Sequence, residues 1–440
     1  MAQVMVELDL PEGVECNSYE RFEDGHGLQV SWTLPDRCTC QRCGREDQAH
    51  IEYRSTVQVI RDLPLWEQPS FFVYEAPFHR CYYCNHRQDL LPPFQRKDTK
   101  YTYRFEELVV RMLIGSTEED VARRLAISAE TVAHIVGNWI TDSAAKDLSQ
   151  LQGIEHLGLD EISLKKRHKL YCLVVTDLTD PARPRVLAVL SGKDTAATQK
   201  ALGLLTEEQR KAIKTYCVDM WGPYHDVCKN LLPNAKRVVD RFHVAKKFNE
   251  AIDKQRKKIT AQYKQKLNRA ERKEFKTFLW EFRRDPDGLT EEEEAHLEGL
   301  FVLLPDLRTL YELRLRFQEI FDTARDRGQA ARQLRALRAD AAAAGVDLSD
   351  FFATYDNHKE GILNYFDERR TSAAVEGLNN KARVITKRAY GIKGADSLWN
   401  RLLLDVNHAH QAVAFTIKSI RAMVAGFKMI FSHQTAALHL

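Results

Sequence analysis

The sequence predicts a multidomain α+β chain: a β-rich N-terminal segment closed by metal, a cluster of short helices, and an α/β core split by an all-helical stretch. Three observations predict it. Cys40 with Cys43 and Cys81 with Cys84 make two CxxC pairs, the hydrophobic period changes from helical to alternating after Gly153, and it returns to helical from about Asp253 to Phe366. The 440 residues suffice for several cores.

Bulk properties exclude some classes and point to others. No apolar run approaches the roughly 20 residues of a membrane span, and the start, Met1-Ala2-Gln3, has no basic segment leading into an apolar one. The expectation is a cytoplasmic protein without a membrane partner. Net charge is only +3, but it is unevenly spread. Met1 to Arg37 holds eight acids and two bases, whereas Arg241 to Lys276 holds thirteen bases and four acids. A block that basic suits a polyanion, or else is a solvated helix face.

Residues 1–95 read as the zinc-binding domain. Each CxxC pair can supply two thiolates to one tetrahedral Zn²⁺, so Cys40, Cys43, Cys81 and Cys84 form the expected set. The 37 residues between the pairs exceed the usual ribbon spacing. They hold strand-like runs, Val57 to Ile60 and Phe71 to Tyr74, with turns expected at Pro64 and Pro69, so a zinc-ribbon-like segment fits. Four protein ligands leave no open position, which makes the single zinc structural. Cys38, His79 and His86 are spare candidates. Cys172, Cys217 and Cys228 sit in apolar surroundings and read as core.

Residues 96–150 read as a helix-turn-helix DNA-binding domain. Phe105, Leu108, Val109, Met112 and Leu113 keep helical spacing, Thr117 can cap a helix from Glu118 to Leu125, and Ser128 can cap a third through Ile140. Ala126 stands where glycine often makes the turn. Thr131, His134 and Asn138 then lie on the face that would enter a major groove. A plain three-helix packing module is the alternative.

Residues 151–252 read as the first part of the catalytic core. Glu155 to Leu164, Lys169 to Thr176 and Arg185 to Leu190 alternate as strands with short turns, predicting an antiparallel meander. A helix from Asp194 to Leu205, a strand from Thr215 to Met220, a helix around Tyr224 to Leu231, a strand from Lys236 to Asp240 and a long basic helix from about Phe242 follow. Three antiparallel strands and then αβαβα is the strand order of a ribonuclease H-like fold. In that order the first and fourth strands are parallel neighbours, which brings Asp160 and Asp219 within reach of one divalent cation. Period two puts Glu161 on the other face.

A third acid must come from a helix crossing the sheet, in 367–440, the second part of the core with C-terminal helices. Glu376 follows Thr371 and Ser372, either able to cap. Val375, Leu378, Ala382 and Ile385 make the apolar face, and Glu376, Asn380, Arg383 and Lys387 the opposite one. An acid for metal beside Asn380, Arg383 and Lys387 for phosphate suits nucleic-acid chemistry; complementing the helix dipole is the alternative for Glu376. Residues 253–366 read as a helical insertion, with Pro305 and Gly345 as breaks and Lys254, Lys257 and Lys258 as phosphate contacts.

The chain resembles the transposases of the ISL3 insertion-sequence family. Its paired CxxC motifs and the helix-turn-helix after them are similar to that family's N-terminal segments. Leu159-Asp160-Glu161-Ile162-Ser163, Val218-Asp219-Met220-Trp221 with Tyr224, and Ser372-Ala373-Ala374-Val375-Glu376-Gly377-Leu378-Asn379-Asn380-Lys381 with Arg388-Ala389-Tyr390-Gly391 look like its three acidic motifs. Val239-Asp240-Arg241-Phe242-His243-Val244 resembles a further signature. The first CxxC departs mildly at Thr39 and Gln41-Arg42, although Gly44 still follows Cys43.

The resemblance implies an acid-triad (DDE-type) transposase carrying Asp160, Asp219 and Glu376, with an all-α insertion in its core. The expected chemistry is in-line attack on a DNA phosphodiester, with two Mg²⁺ (or Mn²⁺) ions activating the nucleophile and stabilising the leaving oxygen. Nicking at an element end would be followed by joining to target, both on double-stranded DNA. Holding two ends together calls for at least a homodimer. Asp240 and His243 are expected to orient a metal-bound water or phosphate; otherwise Asp240 caps the basic helix and His243 packs at the surface. The rivals are a DNA-binding regulator with an inactive core and a metal-dependent nuclease without strand transfer.

Overall fold

The computed structural model describes residues 10–165, 170–220, 222–368, 373–388, 392 and 394–407. The chain divides into two compact units: Met1–Lys146 with Arg388–Tyr390 and Asn400–Leu440, and Asp147–Lys387 with Gly391–Trp399.

In the first unit, β1 (Val14–Phe22), β2 (Gly25–Trp32), β5 (Ile51–Leu65), β6 (Gln68–Arg80) and β7 (Arg87–Asp89) form one sheet in the order β1-β2-β6-β5, with β7 on β6. The short strands β3 (Arg37–Thr39) and β4 (Glu46–Gln48) pair separately. Leu28, Val30, Ile60, Phe72 and Phe94 make the small core over the sheet. The expected turns at Pro64 and Pro69 are not there. Both prolines lie inside strands, and the chain reverses at Trp66 and Glu67, each with positive φ. Leu65 pairs with Gln68 across this two-residue turn, whose handedness matches the twist of the strands. Pro64 is tolerated because β5 is an edge strand and its register slips between Asp62 and Leu65.

Three helices follow: α1 (Tyr103–Leu113), α2 (Glu118–Leu125) and α3 (Ala129–Asp142). Thr102, Thr117 and Ser128 cap them, each accepting a backbone N–H three residues on. Phe105, Val109, Leu113, Val121 and Val132 are fully enclosed. Ala126 takes the left-handed conformation (φ 51°, ψ 48°) that turns α2 into α3, a conformation costing a non-glycine residue about 1 kcal/mol. The turn from α1 to α2 is held by residues far along the chain. Arg401 donates to the carbonyls of Leu113 (3.1 Å) and Ser116 (2.6 Å), Asp405 accepts from Gly115 N (2.6 Å), and Arg401 and Asp405 form a buried ion pair at 3.3 Å.

The second unit is built on a five-stranded sheet of order β10-β9-β8-β11-β12. Strands β8 (His156–Lys165), β9 (Leu170–Asp177) and β10 (Arg185–Ser191) are an antiparallel meander, and β11 (Thr215–Val218) and β12 (Lys236–Val239) add in parallel beside β8. The helix expected from Asp194 to Leu205 is α4 (Thr195–Leu202), and a further short helix that the sequence reading did not include, α5 (Glu207–Ala212), follows it because Thr206 opens a capping box with Gln209. Helix α6 (Gly222–Leu231) joins β11 to β12.

From Arg241 onward the described elements are all helical. Helices α7 (Arg241–Lys266), α8 (Arg269–Glu281), α9 (Glu291–Leu303), α10 (Pro305–Thr323), α11 (Arg327–Ala343) and α12 (Ser349–Glu368) share one core centred on Phe248, Phe317, Phe321 and Phe351. Pro305 starts α10 and Gly345, with φ 70°, follows α11. Helix α12 lies hard against β12 at Gly361, where a Cβ would stand 2.9 Å from the Val239 side chain. Helices α13 (Ala373–Arg388) and α14 (Ala395–Leu402) follow, and a π-helical turn, Leu403–Asn407, ends the described elements.

Candidate functional site

Asp160 lies in β8, and Asp219 and Asp240 each lie one residue beyond a parallel strand. Cys217 pairs with Gly158 and Val218 with Val239. Continued past the last pairs, those registers set Asp160 beside Asp219 and Asp219 beside Asp240. Three carboxylates thus gather across three adjacent strands, Asp160 midway along β8 and Asp219 and Asp240 just past the ends of β11 and β12. Burial pushes the Asp160 carboxyl up to about 6, and Asp240 and Asp219 add to the rise, while the Glu161 N–H and His243 oppose it. Asp160 Oδ1 accepts that N–H at 2.7 Å, and Asn379 Nδ2 donates to Asp160 Oδ2. Asn379 is 1% exposed, and its own Oδ1 is buried without a partner.

This contact ties α13, the helix that carries Glu376, to β8. Glu376 is within α13, but its side chain lies outside the described residues, as do Trp221, Thr371, Ser372, Ala389, Tyr390 and Gly391 of the sequence motifs. Leu378, Ala382 and Ile385 are buried, and Asn380, Arg383 and Lys387 are exposed, with Arg383 donating to Asn380 Oδ1 at 2.7 Å.

Asp240 caps α7, accepting Phe242 N at 2.9 Å, and faces His243 Nε2 at 3.8 Å. Arg237 Nη2 donates to the Asp219 carbonyl at 3.0 Å. Tyr224, 1% exposed with a hydroxyl that finds no partner among the described residues, lies in the combined field of Glu161, Asp219, Asp160 and Asp194, and burial above all raises its pKa. Glu161 instead pairs with Lys193 at 3.3 Å. Asn379 and Arg237 escaped the sequence reading. Asn379 left one weak signal, a polar residue on the apolar stripe of its helix.

In the first unit, the Sγ atoms of Cys40, Cys43, Cys81 and Cys84 all lie within 4.8 Å of one another, with Cys40 to Cys84 at 3.5 Å and Cys43 to Cys81 at 3.7 Å. Tetrahedral Zn²⁺ with bonds of about 2.3 Å needs sulfurs about 3.8 Å apart. Each pair sits on a tight knuckle closed by Gly44 N to the Cys40 carbonyl and Asn85 N to the Cys81 carbonyl, both 2.9 Å. Gly44 and Asn85 have positive φ. Hydrogen bonds from Cys43 and Arg42 lower the Cys40 thiol to about 7, whereas Cys84 is pushed up to about 12, with burial and the Cys40, Cys81 and Cys43 side chains raising it against the His86 N–H. Of the spare candidates, Cys38 pairs across β3–β4 with Asp47, and His79 is committed to Asp47 Oδ1 (2.9 Å) and His50 N (3.1 Å). His86 contributes its carbonyl to the second knuckle. Cys172, Cys217 and Cys228 are buried.

The residues expected on DNA lie on α3, α7 and α13. His134 is exposed and Asn138 half-buried, and the Thr131 hydroxyl shares a 2.9 Å hydrogen bond with Ser128. Lys257 and Lys258 are exposed, but Lys254 is engaged by Asp350 at 2.6 Å.

Residues 157–402, which contain this sheet from the second residue of β8 onward and its acids, match a family model described as a transposase, that of the ISL3 type. The chain belongs to the ISL3 family of transposases. It is 28% identical over 364 residues to the transposase for insertion sequence element IS1001 of Bordetella parapertussis, covering 80% of this chain and 85% of that one. It is 24% identical over 412 residues to the transposase for insertion sequence element IS1557 of Mycobacterium tuberculosis, covering 88% and 90%. Membership implies polynucleotidyl transfer on DNA with a divalent metal. Among the described residues no helix is long and apolar enough to cross a membrane.

Proposed function

We propose that this protein binds the ends of an insertion sequence and catalyses their metal-dependent cleavage and transfer to target DNA, with Asp160, Asp219 and Glu376 as the acid triad on a ribonuclease H-like core. The observation that carries the reading is the pairing of β11 beside β8, which aligns Asp219 with Asp160, together with the Asn379–Asp160 hydrogen bond on the helix of Glu376. Carboxylates that crowd each other in a partly buried site suit a hard divalent cation. Mg²⁺ or Mn²⁺, two per site, would activate the attacking oxygen and stabilise the leaving one. The chain's own part is to fix Asp160 through Asn379 and the Glu161 N–H, to hold Asp219 through Arg237, and to set His243 and Asp240 beside them.

In this reading Cys40, Cys43, Cys81 and Cys84 hold one structural zinc, and α2 and α3 act as a helix-turn-helix whose His134 and Asn138 approach bases. Lys257 and Lys258 contact phosphate. The domains run 1–95, 96–150, 151–252, 253–366 and 367–440, and the active species is at least a dimer. Incubating the purified protein with a labelled element end, a target plasmid and Mg²⁺ tests the proposal. Joined product is expected; binding without cutting, or cutting without joining, would replace it with a regulator or a nuclease.

A further inference from the structure

A cavity of about 360 Å³ opens where α6 and α12 meet the start of β12. Lys229, Lys236 and Arg237 line it, and Glu360 is the one carboxylate among the described residues that do so. Lys229 and Lys236 are exposed at the rim, while Arg237 reaches inward. Among the described residues its guanidinium hydrogen-bonds to neutral groups: Nη2 donates to the Asp219 carbonyl at 3.0 Å and Nη1 to His358 Nδ1 at 3.3 Å, while Nε is buried without a hydrogen-bond partner there. Partly buried cations are ordinarily matched by a counter-charge, because desolvation otherwise goes uncompensated. Asp219 and Asp226 act on this guanidinium only through space, without a direct ion pair among the described residues, so beside an open cavity it makes an incomplete anion site.

Two histidines finish the lining. His358 sits at a break in α12, where its backbone leaves helical geometry (φ −117°, ψ 15°). Since His358 Nδ1 accepts from Arg237, its proton is on Nε2. His225 Nδ1 shares a 2.9 Å hydrogen bond with the Tyr216 hydroxyl. Burial and the nearby guanidinium hold both imidazoles below their usual pKa; His358 has its Nε2–H to give, and His225 has the same when the Tyr216 hydroxyl donates to its Nδ1. A liquid water occupies about 30 Å³, so the cavity has room for a phosphate with its hydration or its sugar.

We propose that this cavity is a phosphate-binding site, in which Arg237, Lys229 and Lys236 supply the charge and His225 and His358 the N–H donors. The occupant carries a tetrahedral phosphate, either a phosphodiester of the DNA backbone or a free phosphate or phosphomonoester. Because Arg237 also holds the Asp219 carbonyl, an anion that draws on Arg237 acts on the strand end carrying Asp219. That last consequence rests on the proposed function, whereas the binding itself does not.

The test is calorimetry of the full chain, without divalent metal, titrated with inorganic phosphate against chloride at matched ionic strength. Saturable binding of one phosphate per chain is expected, weakened about tenfold in the Lys229→Gln/Lys236→Gln double variant, whose exposed positions leave the core intact. Arg237→Gln should abolish it. No saturable binding, or an unchanged affinity in the double variant, overturns the inference. A short random duplex separates the sources: displacement of phosphate assigns a backbone phosphodiester, and unchanged phosphate binding on duplex-saturated protein assigns a free one. Strand transfer is not needed for any of these readouts, so failure here leaves the transposase reading standing, and failed cleavage with intact phosphate binding does the reverse.

Discussion

The buried amide of Asn379 donates a hydrogen bond to Asp160, from a helix more than two hundred residues later in the chain. With the Glu161 N–H on Oδ1, both carboxylate oxygens of Asp160 are held. Asn379→Leu keeps the volume, removes the donor and also removes an acceptor that is buried without a partner. Deleting an unsatisfied group offsets much of the lost bond. Thermal stability is therefore expected to change little, while the Mg²⁺ concentration for half-maximal cleavage rises about tenfold or more. A parallel fall in stability and activity would make Asn379 merely structural.

Asp160→Asn, Asp219→Asn and Glu376→Gln each conserve shape and remove a charge that a hard cation needs. Each is expected to abolish cleavage and joining, with a double variant hardly worse than a single one. DNA-end binding should survive, because removing an acid lowers repulsion with phosphate. Glu161→Gln and Glu368→Gln serve as controls. Metal-dependent nicking of a labelled end decides, and activity in Glu376→Gln would move the third acid elsewhere.

The raised carboxyl of Asp160 sets a pH window. Protons and metal compete for it, so Mg²⁺ affinity should climb as pH rises through about 6 and level off above. Without metal the sign for stability is opposite. Between the ordinary carboxylate value near 3.8 and about 6, the folded state binds the proton that the unfolded state has released. Stability therefore falls as pH rises through this window, by at most about 3 kcal/mol. Melting curves from about pH 4 to about pH 7, with and without Mg²⁺, should diverge as pH increases.

One zinc per chain is expected at the four cysteines, and Cys40→Ser or Cys84→Ser should lose it and unfold the first unit, because such a site contributes folding free energy directly. Metal analysis of freshly purified protein checks the stoichiometry. Acidification should release the ion, since thiolates must reprotonate.

Arg401 and Asp405 are a buried pair, 6% and 5% exposed, and removing one partner strands the other. Asp405→Asn or Arg401→Met is expected to destabilise the three helices α1–α3 by about 3–5 kcal/mol. Limited proteolysis should then cut near Gly115 first, and joint replacement of both should be less damaging than either alone.

Much of this architecture was legible because it rests on local rules. Period-two alternation gave strands β8–β12 to within a residue or two, and Thr117 and Ser128 announced helices that begin one residue later. What escaped depends on partners distant in sequence. Pro64 looked like a turn because nothing local reveals that β5 is an edge strand. Lys254 looked free because Asp350 is 96 residues away. Asn379 is a polar residue at an apolar position, and only the fold shows what it meets.

The clamp on the α1–α2 turn carries a temporal consequence. Arg401 and Asp405 lie 285 to 290 residues beyond the backbone they hold. A nascent chain emerges from its N-terminus, so these helices leave the ribosome long before their buried ion pair exists. Their final stability is therefore reached only when nearly the entire polypeptide has been translated. Prematurely terminated products lack the fastening, and the helical module matures last although it is made early.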